Sequence, residues 1–186
     1  VIEAGHPVPD ESGEKAAREI LRLARTLGPD DLLLALVSGG GSALLSVPVD
    51  GITMNELKAT TKELLRCGAP IQDMNTVRKH LSAIQGGRLA AACRAPVVTL
   101  IISDVTGDDP THIASGPCAP DPTTYRDALD ILDRYGVKAP KAVAERLARG
   151  AKGAIPETPK PGSRIFKRIE NRVIATAQQS LQATAA

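Results

Sequence analysis

The segment Ser103-Asp104-Val105-Thr106-Gly107-Asp108-Asp109 places three carboxylates and two hydroxyls directly after the apolar run Val97 to Ile102. A buried strand is expected to end there, and in open α/β sheets the carboxyl edge of the strands is where ligands bind. Three acids so close in sequence repel one another unless a cation or donor groups compensate. Mg²⁺ takes oxygen ligands and shares them with substrate phosphates. The chemistry this pattern suggests is a magnesium-phosphate site held by Asp104, Asp108 and Asp109, with Ser103 beside them. The competing reading is a solvated acidic turn with an Asx cap.

A second candidate is Ser38-Gly39-Gly40-Gly41-Ser42, which follows the apolar run Leu32 to Val37. Glycines let the backbone aim several N–H groups at one anion, and Ser38 and Ser42 add hydroxyl donors. No Gly-Lys-Ser/Thr follows, so this is not a Walker A loop. The GxGxxG spacing of a dinucleotide fingerprint is also missing. A plain tight turn between strand and helix is the alternative.

Asn75-Thr76-Val77-Arg78-Lys79-His80 gathers an amide, a guanidinium, an ammonium and an imidazole. On a helix, Asn75, Arg78 and Lys79 fall within one turn of a common face. That face suits a carboxylate or phosphate, which Arg can bind bidentately; a solvated basic face is the alternative. His80 alone reads as structural. Ser115 and Gly116, in Ala114-Ser115-Gly116-Pro117, continue the long loop that starts at Ser103 and runs to Asp121, and long ordered loops at strand ends are often functional. His112 could act as a base or as a surface donor. His6 and Asp10 lie on the Pro-braced turn Gly5-His6-Pro7-Val8-Pro9-Asp10, which could face the same cleft.

The elements that must position these groups alternate along the chain. A helix is predicted from a Ser12 cap to about Leu27, with Ala16, Ile20, Leu23, Ala24 and Leu27 at helical spacing. Leu32 to Val37 reads as a strand buried on both faces. Helices are predicted over Thr53 to Cys67, Asp73 to Gln85, Gly87 to Arg94, Thr123 to Tyr135 and Pro140 to Arg149. Strands are predicted over Val97 to Ile102 and Ile165 to Ala175. Strands separated by helices imply an α/β fold with a mostly parallel sheet and helices on both faces.

Composition narrows the classes. The 186 residues are 42% hydrophobic and 24% charged, which fits one soluble globular domain rather than a disordered chain. A net charge of +2, without a long basic run, and 2% aromatic residues argue against a nucleic-acid binder. No apolar stretch is long enough to span a membrane, and no signal-peptide pattern opens the chain. Cys67, Cys93 and Cys118 show no CxxC spacing and read as reduced thiols of a cytoplasmic protein. The chain opens at Val1-Ile2-Glu3 without a methionine and closes on Ser180 to Ala186 without a helix stop signal, so it is expected to be a piece of a longer polypeptide.

Gly5-His6-Pro7-Val8-Pro9-Asp10, Ser38 to Leu44, Asn75 to Ser82, Gly86-Gly87-Arg88-Leu89-Ala90, Ser103 to Asp109 and Ile113 to Pro117 occur in this order. That series resembles the class II glycerate kinases, often called hydroxypyruvate reductases in the tartrate-degradation context. The resemblance implies transfer of the ATP γ-phosphoryl group to the 2-hydroxyl of D-glycerate with Mg²⁺. It also implies a Rossmann-like, three-layer amino-terminal domain, of which residues 1–186 would be most, truncated at both ends. The upstream segment carrying a lysine thought to be catalytic and a smaller carboxyl-terminal domain would be missing. The isolated piece is then expected to be inactive, and surfaces left bare could pair it into a homodimer. Gln85 departs from the pattern, where Lys is expected before Gly86-Gly87. By this resemblance Asp104, Asp108, Arg78 and Lys79 would be catalytic. Ser38, Gly39, Gly40, Gly41, Ser42, Asn75, Ser103, Ser115 and Gly116 would bind substrate or phosphate. An NAD(P)H-dependent hydroxypyruvate reductase and a non-catalytic hydroxy-acid-binding domain are the alternatives.

Overall fold

The computed structural model describes residues 1–185. Three parallel strands, β1 (Leu33–Val37), β2 (Val97–Ile102) and β3 (Ile169–Ala175), form one sheet in the order β1-β2-β3. Parallel neighbours need long crossovers. The β1-to-β2 connection carries α2 (Gly41–Leu44), α3 (Met54–Arg66), α4 (Ile71–Leu81) and α5 (Arg88–Ala92), and the β2-to-β3 connection carries α6 (Tyr125–Arg134) and α7 (Lys141–Ala151). Helix α1 (Glu11–Thr26) precedes the sheet and α8 (Ala177–Ala185) follows it. The α/β class and the parallel sheet agree with the sequence reading. No helix among the described residues is long and apolar enough to cross a membrane.

Local chemistry sets most helix ends. Thr53 and Thr124 start α3 and α6 through capping boxes with Glu56 and Asp127. Helix α1 is capped by Asp10 rather than by Ser12: the Asp10 carboxylate accepts from the amides of Gly13 at 2.8 Å and Gly5 at 2.7 Å. This ties the Gly5–Asp10 turn to the helix. Helix α4 ends at Leu81, short of the predicted Gln85, and the turn that follows is braced by the Ser82 hydroxyl, which accepts from the amides of Ile84 and Gln85. The segment Arg164–Arg168 is a 3₁₀ turn, so β3 begins later than predicted.

Two apolar clusters hold the chain together. Ala17, Leu21 and Ala24 of α1 pack with Leu89 and Ala90 of α5 and Val97 of β2 over one face of the sheet. Leu57, Leu64, Val77, Leu81, Ile131 and Leu147 join α3, α4, α6 and α7 in the second. Strand β1 departs from the expected burial on both faces. It alternates, and Leu34 and Leu36 are 54% and 75% exposed, as Ile102 and Ile174 also are by about half. The face away from α1 and α5 therefore displays apolar side chains on β1 and β2, with Glu170 and Arg172 beside Ile174 on β3.

Candidate active site

Because β1 and β2 are parallel and Val37 pairs with Ile101, the glycine loop and the acidic segment leave the sheet side by side. The Asp104 carboxylate lies against the Cα of Gly39, so closely that a Cβ there would overlap it. Gly40 takes φ +79 and opens the short α2 turn. A Cβ on Gly41 would stand 2.5 Å from the Cβ of Ala114. Glycines are thus needed here for close approach as well as for the turn.

Three segments are stitched around this point. The Ser115 hydroxyl donates to Ser42 Oγ at 2.8 Å. The Gln85 amide donates to the carbonyls of Ser42 and Leu45 at 2.9 and 2.8 Å. The amides of Gly86 and Gly87 donate to the carbonyls of Ser115 and Gly116. Ala114 and Ser115 hold left-handed φ values of 51° and 58°, which costs a residue with a side chain about 1–3 kcal/mol each. Strain of this kind persists where the surroundings over-determine it, and functional sites are enriched in it.

Beneath the glycine loop is a cavity of about 260 Å³. Asp104, Arg78, Asn75, His6 and His112 bring charge and donors to it, Gly40 and Ser42 form one edge, and Leu65, Ile71 and Met74 make its apolar wall. Ser38, Gly39 and Gly41 border a second, apolar space of about 420 Å³ alongside β1. The loop separates the two.

The predicted site residues divide. Asp104 and Arg78 face the smaller cavity together. Asn75 lines it too, but its side chain acts as a brace: Nδ2 donates to the His112 carbonyl at 3.3 Å, and Oδ1 accepts from Arg78 Nη1 at 3.4 Å. Burial pushes the Arg78 guanidinium below its usual pKa. Ser115 is fully buried and spent on Ser42. Ser103 is also buried, its hydroxyl turned to its own neighbour Val105.

Lys79 does not line this cavity. Its ammonium points away from the cavity into the protein, 2.8 Å from Asp121 Oδ1. Burial alone would push the Asp121 carboxyl up, but the Lys79 charge beside it, with the hydrogen bonds from Thr123, outweighs burial and holds it below the ordinary value. His80 lies in the same interior, its Nε2 3.3 Å from Glu157 and 3.9 Å from Asp121, and burial lowers its pKa despite those two carboxylates.

The acidic segment holds its three carboxylates differently. Among the described residues no three His, Cys, Asp or Glu side chains come close enough to hold a metal ion. Asp109 accepts from the Thr111 amide at 2.8 Å and closes its own turn, while Asp108 sits at φ 53 beside Gly107. Asp104 remains as the carboxylate at the cavity, with the Ser42 hydroxyl on the same lining. That donor set fits a Mg²⁺ ion carried chiefly by substrate phosphates and does not fit an all-protein cage. His6 and His112, for which the sequence left a cleft-facing role open, both line the cavity, and Gln85 braces it through Ser42 and Leu45.

Residues 1–148 match the family model described as "Domain of unknown function (DUF4147)". The chain belongs to that family. This chain is 51% identical over its whole length to an Agrobacterium vitis protein named "Putative hydroxypyruvate reductase", covering 41% of that protein. It is 44% identical to the "Glycerate 2-kinase" of Pyrococcus horikoshii, again over its whole length and 42% of the relative. A crystal structure of a glycerate kinase from Thermotoga maritima superposes with a TM-score of 0.83 at 42% identity, over 97% of this chain and 41% of that one. The chain therefore spans about two fifths of the length of these relatives.

Proposed function

We propose that this chain is most of the amino-terminal domain of a glycerate 2-kinase, which moves the γ-phosphoryl group of Mg-ATP to the 2-hydroxyl of D-glycerate. The observation that carries the reading is the shared cavity of Asp104, Arg78 and Ser42 at the carboxyl ends of two parallel strands, in a chain 44% identical to a glycerate 2-kinase. Phosphoryl transfer asks a protein for positioning and charge neutralisation more than for covalent chemistry, and this cavity offers both. Asp104 would orient the accepting hydroxyl and take its hydrogen bond. Arg78 would supply the fixed positive charge of the site. Asn75 and Gln85 would hold Arg78 and the Ser42 loop in register. Mg-ATP, when bound, would bring the phosphoryl group and its own counter-charge.

The reductase name carried by the Agrobacterium relative motivates a second reading, reduction of hydroxypyruvate with NAD(P)H. The absent dinucleotide fingerprint weighs against it. Both readings are tested by giving the full-length protein D-glycerate and Mg-ATP and following ADP release, alongside NAD(P)H oxidation with hydroxypyruvate. Glycerate-dependent ADP release with a silent reductase assay is the expected result; the opposite pattern would overturn the kinase reading.

A further inference from the structure

Arg78 and Lys79 are adjacent buried cations with opposite circumstances. Lys79 has Asp121 at 2.8 Å as its internal counter-ion. Arg78 is only 6% exposed, has no ion-pair partner among the described residues, and its Nε makes no hydrogen bond. Its polar contact is the 3.4 Å donation to Asn75 Oδ1. A guanidinium stays charged in proteins, and a buried charge without a partner is costly. Arg78 lines the cavity, where an anionic ligand would supply the counter-charge that the described residues do not.

The surroundings select which anion. At about 260 Å³ the cavity falls just below the usual size of small-molecule sites and suits a short acid better than a nucleotide. One guanidinium balances one negative charge. Without a metal ion, Asp104 on the same lining repels a dianion such as free phosphate more than a monoanion. A planar carboxylate meets the guanidinium through two parallel hydrogen bonds. His112 adds an Nδ1 without a partner, and His6 a second imidazole, as polar groups for a ligand hydroxyl. Leu65, Ile71 and Met74 add apolar surface for the carbon chain of such a ligand.

We propose that Arg78 anchors the carboxylate of a short, monoanionic hydroxy acid in this cavity rather than the phosphoryl donor. The inference rests on the substrate class of the kinase reading but not on phosphoryl transfer itself.

The test uses the full-length protein and calorimetric titration without nucleotide, with D-glycerate, its neutral amide glyceramide, and inorganic phosphate as probes. D-glycerate is expected to bind, and glyceramide and phosphate to bind at least about 30-fold more weakly. Arg78→Gln should weaken D-glycerate binding by about 30-fold or more, with Arg78→Lys in between, while the KM for ATP changes by less than about threefold. Glyceramide binding as well as D-glycerate, or phosphate binding better than either, would overturn the assignment on the wild-type protein alone, without relying on a variant that folds. Arg78→Gln raising the KM for ATP while glycerate binding holds would also overturn it and move Arg78 to the phosphoryl donor. Arg78-dependent glycerate binding in a protein without glycerate-dependent ADP release would sustain this inference while removing the kinase reading. ADP release equally supported by glyceramide would do the reverse.

Discussion

Lys79 Nζ sits 2.8 Å from Asp121 Oδ1 with both side chains sealed from solvent, at 1% and 0% exposure. Asp121 also accepts from Thr123 and Thr158, and Lys160 reaches Thr158 and Glu157. The pair therefore ties α4 to the segments before α6 and after α7. This interior network keeps the helix bearing Arg78 in place from behind.

Removing Lys79 would leave Asp121 charged and buried without its partner. Lys79→Met is expected to cost about 3–5 kcal/mol of stability, the usual penalty for breaking a buried pair from one side. Urea unfolding of the full-length protein would show this as a lower midpoint at unchanged slope. A variant that kept its midpoint but lost turnover would return Lys79 to the active site.

The same network makes stability depend on pH. The Asp121 carboxyl is held low in the fold, so its contribution is present above the unfolded-state pKa and is lost as pH falls through the folded value. Burial lowers the His80 pKa against the pull of Asp121 and Glu157, with Lys160 also opposing its charge. The unfolded chain then takes up the His80 proton first, below about pH 6.5, and the fold loses stability as pH drops. Both signs agree. The thermal midpoint should fall between pH 7.5 and pH 5 (about neutral to mildly acidic), and His80→Asn should flatten that slope; an unchanged slope would show that His80 does not drive it.

Much of this architecture was legible in the residues because local chemistry sets it. The capping boxes at Thr53 and Thr124 begin helices with little help from tertiary contacts, and the apolar runs before Ser38 and Ser103 do become parallel strands. Direction within the site was not legible. Asn75, Arg78 and Lys79 fall within one helical turn, yet the neighbouring side chains diverge: Arg78 faces the cavity and Lys79 meets a counter-ion from a loop 42 positions later. Spacing on a helix cannot name a partner that far along the chain. The three acids also part company, since the left-handed turn at Gly107-Asp108 leaves Asp109 accepting from the Thr111 amide while Asp104 lines the cavity. Nor does the hydropathy of Leu32 to Val37 say whether both faces are covered.

Thiol chemistry gives an independent check on the packing between α5 and β2. Burial pushes the Cys118 thiol up to about 11, despite the Thr99 hydroxyl. Cys93 is also buried, and Cys67 half-buried. The thiolate is the reactive form, so brief alkylation of the native protein should label Cys67 while sparing Cys93 and Cys118, and all three should react after denaturation. Peptide mass spectrometry reads this out, and native labelling of Cys118 would contradict the packing described.

Asp104 and Gly39 should behave as one functional unit. Asp104→Asn in the full-length protein is expected to lower turnover well over tenfold while the circular dichroism spectrum is kept, as suits a group that orients the reacting hydroxyl (about 10²–10⁴ for such roles). Gly39→Ala should also be harmful, because its Cβ would occupy the space of the Asp104 carboxylate. Gly39 does not adopt a positive φ, so the backbone itself accepts alanine and the damage passes through Asp104. Residues in contact fail additivity in a double-mutant cycle. The double variant should therefore be no slower than Asp104→Asn alone. A double variant slower by the product of the two single effects would mean that Gly39 has its own task, with its backbone close to the ligand rather than to Asp104.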